Sequence, residues 1–431
     1  MRNGNKAQPP KVANKAQPPK VANKAQPPKV ANKAQPLKLA YIVDTLVTGG
    51  AERLVVTFAR AVKSRQDIDL TVFVLSHGET AFFKELKGAG VEVVCLPGKS
   101  LIDAARFLRL VSALRSRSIE YVHAHLTTST IVGGFAAALL GIAFATTIHN
   151  VKPSTARVSK TRSFLYRRVL RMSRTTPIAV GQAVAEAALA DTGQRDCLVV
   201  ANAVSPEAVA PAGAGALIRT DLGLQEHRVL IAVGAIIGQK AYQDLLAAFS
   251  QVAGQNPDAV LLIVGNAPEA GRYAALQAQA RDLRITGQVR FLGLRRDIPD
   301  LLAAADLFVS ASHWEGAPVS LLEAMANGLA CVMTDVGDNR QILSGTGSPI
   351  VPARNPEALA EALNDMLNDP PARARVGQAA RTRAFKHYGV EAWVNRLIAI
   401  YKNAGAAQHR QSAADDRAPL QPDPNRKDGV S

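Results

Sequence analysis

Residues 306–339 read DLFVSASHWEGAPVSLLEAMANGLACVMTDVGDN, and here a strand, a loop, a helix and the next strand follow one another with almost no residue to spare. The β-branched and aromatic run 307–309 reads as a strand, and 310–316 reads as a loop. Pro318 suits the first helical position, where its missing N–H costs nothing. Gly328 suits the left-handed stop of a helix over about 318–327. Glu315 is thereby left in the loop at the helix mouth, and Glu323 falls about 7.5 Å further along the helix axis than Pro318. Free N–H groups at a helix N-terminus can hold a diphosphate, while flanking carboxylates accept hydrogen bonds from hydroxyls. Either glutamate alone is as well explained by solvation; the two at one helix mouth make a site for a sugar nucleotide.

Around this unit the chain alternates strands and helices twice over. Strands are expected at 37–43, 70–75, 91–96, 143–148, 177–180 and 198–200, then at 229–234, 259–265 and 289–293. Helices over about 50–63, 81–89, 101–117 and 128–140 separate the early ones. Such alternation means parallel sheets covered by helices. The expected fold is α/β, with two doubly wound Rossmann-like domains facing across a cleft, 37–205 and 206–386. The Ala-, Pro- and Gly-rich segment 205–227 reads as the hinge between them.

A length of 431 residues and a hydrophobic fraction of 48% fit a globular protein of two or three domains. The net charge of +16 points to an anionic partner: phosphate-bearing substrates, an anionic membrane surface or nucleic acid. Cys95, Cys197 and Cys331 are too widely separated for a zinc site, and they suggest a reducing compartment without a disulfide framework. Asp67-Ile68-Asp69 has the spacing of a D-x-D metal motif, but it precedes a strand rather than ending one and reads as a polar turn. No metal is expected.

Residues 1–36 carry a nine-residue repeat, NKAQPPKVA, beginning at Asn5, Asn14 and Asn23, with the variant NKAQPLKLA from Asn32. The segment lacks the apolar core of a signal peptide, and its Lys-, Pro- and Gln-rich composition reads as a disordered basic arm. Its last copy runs straight into the first strand. The 23 residues between His125 and His149 carry no charge, which raises a membrane span. Five threonines, one serine and three glycines argue instead for a buried helix and a central strand divided at Gly141. His125 and His149 then stand at the C-terminal ends of two parallel strands, where open α/β sheets place their ligands.

From Tyr121 to Ala185 there is no acidic residue, whereas Lys152, Arg157, Lys160, Arg162, Arg167, Arg168, Arg171 and Arg174 crowd its second half. With Phe164, Leu165, Val169 and Leu170 interleaved, the segment reads as a basic amphipathic helix for a membrane surface. No recognised nucleic-acid fold accompanies it.

Ser312-x-x-Glu315-Gly316, Pro318, Leu322-Glu323-Ala324-Met325-Ala326 and Gly328 together resemble the E-x7-E signature of family 4 glycosyltransferases, which have the GT-B fold. The resemblance implies that Glu315 contacts the donor sugar and Glu323 the nucleotide ribose, with Gly316, Ala317, Pro318 and Val319 at the donor diphosphate. GGAERL at 49–54 is similar to the family's N-terminal glycine-rich loop, which implies that Gly49 and Gly50 lie beside the diphosphate and the acceptor. Asn202, in VANAV, falls in a segment that resembles the family's interdomain PNGVD and is implied on the donor side. VGAIIGQKAYQDLLAAF at 233–249 resembles VGRL…KG…LL.AF, so Lys240 is implied as the cation on the donor phosphates. The family's arginine is replaced by Ala235 and the glycine after the lysine by Ala241. One leaving-group cation is therefore missing unless another arginine reaches in.

His149, in TIHN, is implied on the acceptor side of the cleft, with His125 beside it; Lys240, Glu315 and His149 would be the catalytic set. Two closing helices over about 372–401 look like those of the family. The last of them, 387–403, is expected to cross back to the first domain ahead of a polar, disordered tail, 404–431. The activity implied is a cytoplasmic, metal-independent retaining glycosyltransferase. It would use a nucleotide-diphosphate sugar and no other cofactor, on a lipid-linked or saccharide acceptor of bacterial surface polysaccharide or lipopolysaccharide. It would sit peripherally at the inner face of the cytoplasmic membrane. A nucleotide-sugar epimerase of the same fold and a non-catalytic sugar-nucleotide-binding scaffold remain open as alternatives.

Overall fold

Among the described residues thirteen short strands, most of them apolar, assemble into two parallel sheets. The computed structural model describes residues 35–47, 49–101, 103–151, 159–194 and 196–415, with backbone alone for 405–415. Lys152, Arg157, nearly all of the repeated arm and the tail beyond 415 lie outside the described residues. The first sheet contains β1 (Leu37–Val43), β2 (Ile68–Val74), β3 (Glu92–Cys95), β4 (Tyr121–His125), β5 (Ala143–Ile148), β6 (Thr175–Ala179) and β7 (Leu198–Val199). Their order is β3-β2-β1-β4-β5-β6-β7. The second contains β8 (Arg228–Val233), β9 (Ala259–Val264), β10 (Val289–Gly293), β11 (Leu307–Ser310), β12 (Ala330–Thr334) and β13 (Ile350–Val351), in the order β10-β9-β8-β11-β12-β13. The order reverses between β1 and β4 and between β8 and β11. Those two switch points are where a doubly wound sheet opens a crevice at its strand ends.

Central strands explain why the sequence runs are continuously apolar. Leu39 to Val43 of β1 are fully buried, because helices cover both faces of the sheet. The uncharged stretch resolves into the helix Thr127–Leu140, a left-handed stop at Gly141 (φ 68°) and β5. Among the described residues no helix is long and apolar enough to cross a membrane.

Three expectations change in the structure. Segment 205–227 is not an open hinge: it holds the helix Ala214–Asp221, clamped to the second sheet's domain by Arg219 Nη2 and Asp306 Oδ2 at 2.7 Å. Gly215 serves close packing, since a Cβ there would lie 2.4 Å from the Ala303 carbonyl oxygen, whereas Gly213 and Gly223 take the left-handed φ of 85° and 59° at the two ends of the helix. Asp69 lies within β2 rather than ahead of it, and Asp67 stands at the entry end, away from the strand ends that form the crevice. Asp67 accepts from Arg65 at 2.9 Å and Lys402 at 2.7 Å, which hold its carboxyl well below the usual carboxylate range.

The last helix, Val390–Asp415, continues beyond the expected end near 403 and packs on the first domain. Trp393 meets Phe58 edge-on at 5.9 Å, and the buried Tyr401 hydroxyl lies 2.7 Å from that of Tyr41. Aromatic burial of this kind contributes roughly 1.5–3 kcal/mol per side chain, enough to hold the helix across the sheet.

Candidate active site

A cavity of about 350 Å³ lies where the C-terminal ends of the two sheets meet. Gly49, Gly50, His149 and Asn202 line it, as do Lys240, Glu315, Gly316, Ala317, Pro318, Val319 and Glu323. Of the site residues expected from sequence, His125 alone does not reach it. It is 1% exposed and sits behind His149, with its Nδ1 at 3.2 Å from His149 Nε2. The strand-end argument located both histidines but could not tell the one at the surface from the one beneath.

The helix Val319–Ala326 opens on this cavity, with Pro318 as its N-cap rather than its first residue. No side chain caps it, so its first N–H groups face the space lined by Val319 and Ser320. Asn327 closes it, and Gly328 takes the left-handed φ of 79° expected of it. Asn202 Nδ2 donates to the Ala317 carbonyl at 2.6 Å and so fixes the loop before the helix. A Cβ on Gly316 would lie 2.2 Å from the His149 carbonyl oxygen, so only glycine lets the two backbones approach this closely. Gly50 of the first domain faces the Val319 side chain more loosely, with a Cβ there 3.3 Å from Val319 Cγ2.

Glu315 is 4% exposed and fully engaged. It accepts from Lys240 Nζ at 2.6 Å, Ser312 Oγ at 2.7 Å and Gln239 Nε2 at 3.0 Å. Gln239 in turn accepts from Asn150 Nδ2 at 3.1 Å, which ties the residue after His149 to the Glu315 cluster. Glu323 keeps partial contact with the cavity, yet burial pushes its carboxyl up to about 7, with nearby Arg53 opposing the shift.

Ala235 lines the cavity where a cation was expected, and Ala241 adopts the left-handed conformation (φ 47°) suited to the absent glycine. Three arginines not anticipated from sequence line the same cavity: Arg53, Arg295 and Arg296. Arg53 lies over the Phe82 ring, and Arg295 Nε donates to Asp297 at 2.8 Å. Their signal was available in outline, since Arg295 and Arg296 come one residue after the end of β10 and Arg53 lies in the first turn after Gly50. Asp338 and Gln239 were also missed. Asp338 accepts from the Gln182 and Ala183 N–H groups at 2.7 and 2.9 Å, so a residue of the second domain caps a helix of the first.

Two parallel-sheet α/β domains with a ligand-sized cavity between their strand ends define a GT-B fold protein. Residues 48–208 match the family model described as Glycosyltransferase Family 4, and residues 217–383 match that of Glycosyl transferases group 1. The chain belongs to the family 4-type group 1 glycosyltransferases.

It is 28% identical over 266 residues to UDP-Gal:alpha-D-GlcNAc-diphosphoundecaprenol alpha-1,3-galactosyltransferase of Escherichia coli, covering 58% of this chain and 66% of that one. It is 27% identical over 346 residues to alpha-maltose-1-phosphate synthase of Mycolicibacterium smegmatis, covering 73% and 88%. Further bacterial relatives are matched over about half their length. The crystal structure of Anabaena HepE in complex with UDP-glucose superposes with a TM-score of 0.76 at 20% identity, covering 85% of this chain and 99% of that one.

Proposed function

We propose that this protein is a retaining glycosyltransferase that moves a sugar from a nucleotide-diphosphate sugar to a lipid-linked or saccharide acceptor. The observation that carries the reading is the composition of this cavity: an uncapped helix mouth, Lys240 and three arginines in the same space as Glu315 and Glu323, with His149 and Gly49-Gly50 opposite. In this reading the diphosphate sits at the N–H groups of the helix Val319–Ala326 with Lys240 beside it, and the ribose hydroxyls donate to Glu323. As the glycosidic bond breaks, charge grows on the leaving phosphate, and prearranged cations and N–H groups lower that barrier most. Arg53, Arg295 and Arg296 supply positive charge that Ala235 cannot. Because the chain itself carries this charge, the reading includes no metal, and turnover should survive chelation.

Relatives with names in lipopolysaccharide core synthesis and in transfer to a diphosphoundecaprenol-linked sugar support an acceptor in bacterial surface polysaccharide or glycolipid assembly. The exposed basic helix Lys160–Leu170 suits a peripheral site on an anionic inner membrane face. A calorimetric screen of UDP, GDP, ADP and CMP, then of the matched sugar nucleotides with and without acceptor, tests the reading. Tight nucleotide binding followed by acceptor-dependent sugar transfer is expected. Donor interconversion without acceptor would indicate an epimerase, and binding without any turnover a scaffold.

A further inference from the structure

His149, the first-domain side chain given an acceptor-side role, is backed by a second imidazole that never reaches the cavity. His125 Nδ1 faces His149 Nε2 at 3.2 Å, with ring centroids 5.5 Å apart. The far face of His125 stacks on His123 at 4.5 Å, and its Nε2 is buried with no hydrogen-bond partner among the described residues. His123 cannot supply one, because its nitrogens are taken by Tyr401 Oη at 2.6 Å and Thr147 Oγ1 at 2.8 Å. The turn after His125 is itself pinned: Asp44 accepts from the Thr128 and Ser129 N–H groups at 3.1 and 2.6 Å, which fixes Leu126 at φ 72°.

Burial drives both imidazoles toward the neutral form, His149 down to about 4 and His125 well below its usual value. Two neutral imidazoles that meet through one nitrogen each share a single proton, and two arrangements exist. If His149 Nε2–H donates, His125 must carry its own proton on Nε2, where a buried N–H finds no acceptor. If His125 Nδ1–H donates, its Nε2 is left as an unpaired acceptor. Orphaned buried N–H groups are the rarer and costlier of the two.

We infer that His125 is a positioning residue that holds His149 as its Nδ1–H tautomer, so that His149 offers the cavity a hydrogen-bond donor and not a base. His149 lines the cavity and spends Nε2 on His125, which leaves Nδ1 as the nitrogen for a ligand. The ligand chemistry that this selects is an acceptor oxygen, a hydroxyl or ring oxygen of a sugar. That identity rests on the glycosyltransferase reading; the tautomer does not.

Long-range ¹H–¹⁵N correlation on the ¹⁵N-histidine-labelled full chain, with His149 assigned by its loss in His149→Gln, reads the tautomer directly. His149 Nδ1 is expected at a protonated and Nε2 at an unprotonated shift. A protonated Nε2 would overturn the inference. His125→Phe keeps a ring but no donor, and His125→Asn keeps a donor near the position of Nδ1. The Phe variant is expected to give a mixed tautomer signal and to lower kcat by about tenfold or more at unchanged nucleotide affinity, with recovery in the Asn variant. Equal kcat in the two variants would count against a positioning role. An Nδ1–H signature in a protein without transfer activity would sink the functional reading alone, whereas an active enzyme with Nε2–H would sink this inference alone.

Discussion

Lys240 and Glu315 hold one another: Nζ donates to Oε1 at 2.6 Å, and the side chains are only 17% and 6% exposed. Both are proposed donor ligands, so the pair is a preassembled clamp whose charges are already desolvated when the donor arrives. Lys240→Ala should lower turnover by about a hundredfold or more, the range for loss of a transition-state donor. It should also destabilise the fold by about 3 kcal/mol, because a buried carboxylate loses its cation. Combining it with Glu315→Gln should restore most of the stability and none of the turnover. Thermal unfolding beside initial rates checks this, and a double variant no more stable than Lys240→Ala would remove the coupling.

Glu323 sets a pH dependence. Its folded pKa of about 7 lies above the ordinary value of 4.5. Its contribution to stability is therefore complete below pH 4.5 and is lost as pH rises through 7. Glu323→Gln should gain stability relative to the parent between pH 5 and 8, read as a growing difference in Tm. Ribose hydroxyls that donate to the carboxylate favour its ionised form. Binding a nucleotide-diphosphate sugar near pH 6.5 should then release protons, seen by calorimetry in buffers of different ionisation enthalpy, and Glu323→Gln should abolish the release. Glu323→Ala should weaken nucleotide binding, whereas Glu315→Ala should cost turnover with little effect on that binding. Unchanged affinity in Glu323→Ala would remove its ribose role.

Asp338 links the domains beneath the cavity-lining Gly316. It caps the helix Gln182–Thr192, and its own N–H donates to the Gly316 carbonyl at 3.1 Å. Asp338→Ala should destabilise by about 0.5–2 kcal/mol, the usual range for a lost cap. Asp338→Asn should cost less. Gly181→Ala should cost more than Asp338→Asn, since the added Cβ would fall 1.6 Å from Asp338 Oδ2. Denaturant midpoints order the three variants; Gly181→Ala at parental stability would show that this interdomain contact opens freely.

The fold was legible because the apolar runs and helix stops are local signals. Gly141 and Gly328 both take the left-handed conformation that their positions demanded. The second-domain motif likewise put Lys240, Glu315 and Glu323 at one cavity. What escaped the sequence was contact at long separation. Gln239 reaches Asn150 and Asp338 reaches Gln182 only after two sheets have been built, and nothing in their neighbours announces it. Depth was equally hidden: β4 ends in His125 and β5 is followed at once by His149, but only packing decides that His149 faces the cavity and His125 does not. Segment 205–227 misled because small residues favour both loops and close helix packing.

The basic helix Lys160–Leu170 makes the last prediction. It buries only Val169 and Leu170 fully, while Phe164 is 67% exposed beside the exposed Lys160, Arg167 and Arg168. Arg171 and Arg174 are spent on the Thr192 and Gly141 carbonyls, so they stitch the fold and leave the first group to face outward. Arg167 has a weak partner in Asp191 at 3.5 Å, both well exposed. Each cation near an anionic surface contributes about 1 kcal/mol, and the attraction decays within about 10 Å at 0.1 M salt. The protein should therefore float with anionic vesicles, not with neutral ones, and release at high salt. Arg167→Glu with Arg168→Glu should abolish flotation while nucleotide binding persists, and deletion of residues 1–36 should leave flotation largely intact. If the double variant floats as well as the parent, or only the deletion releases the protein, the repeated arm and not this helix is the membrane contact.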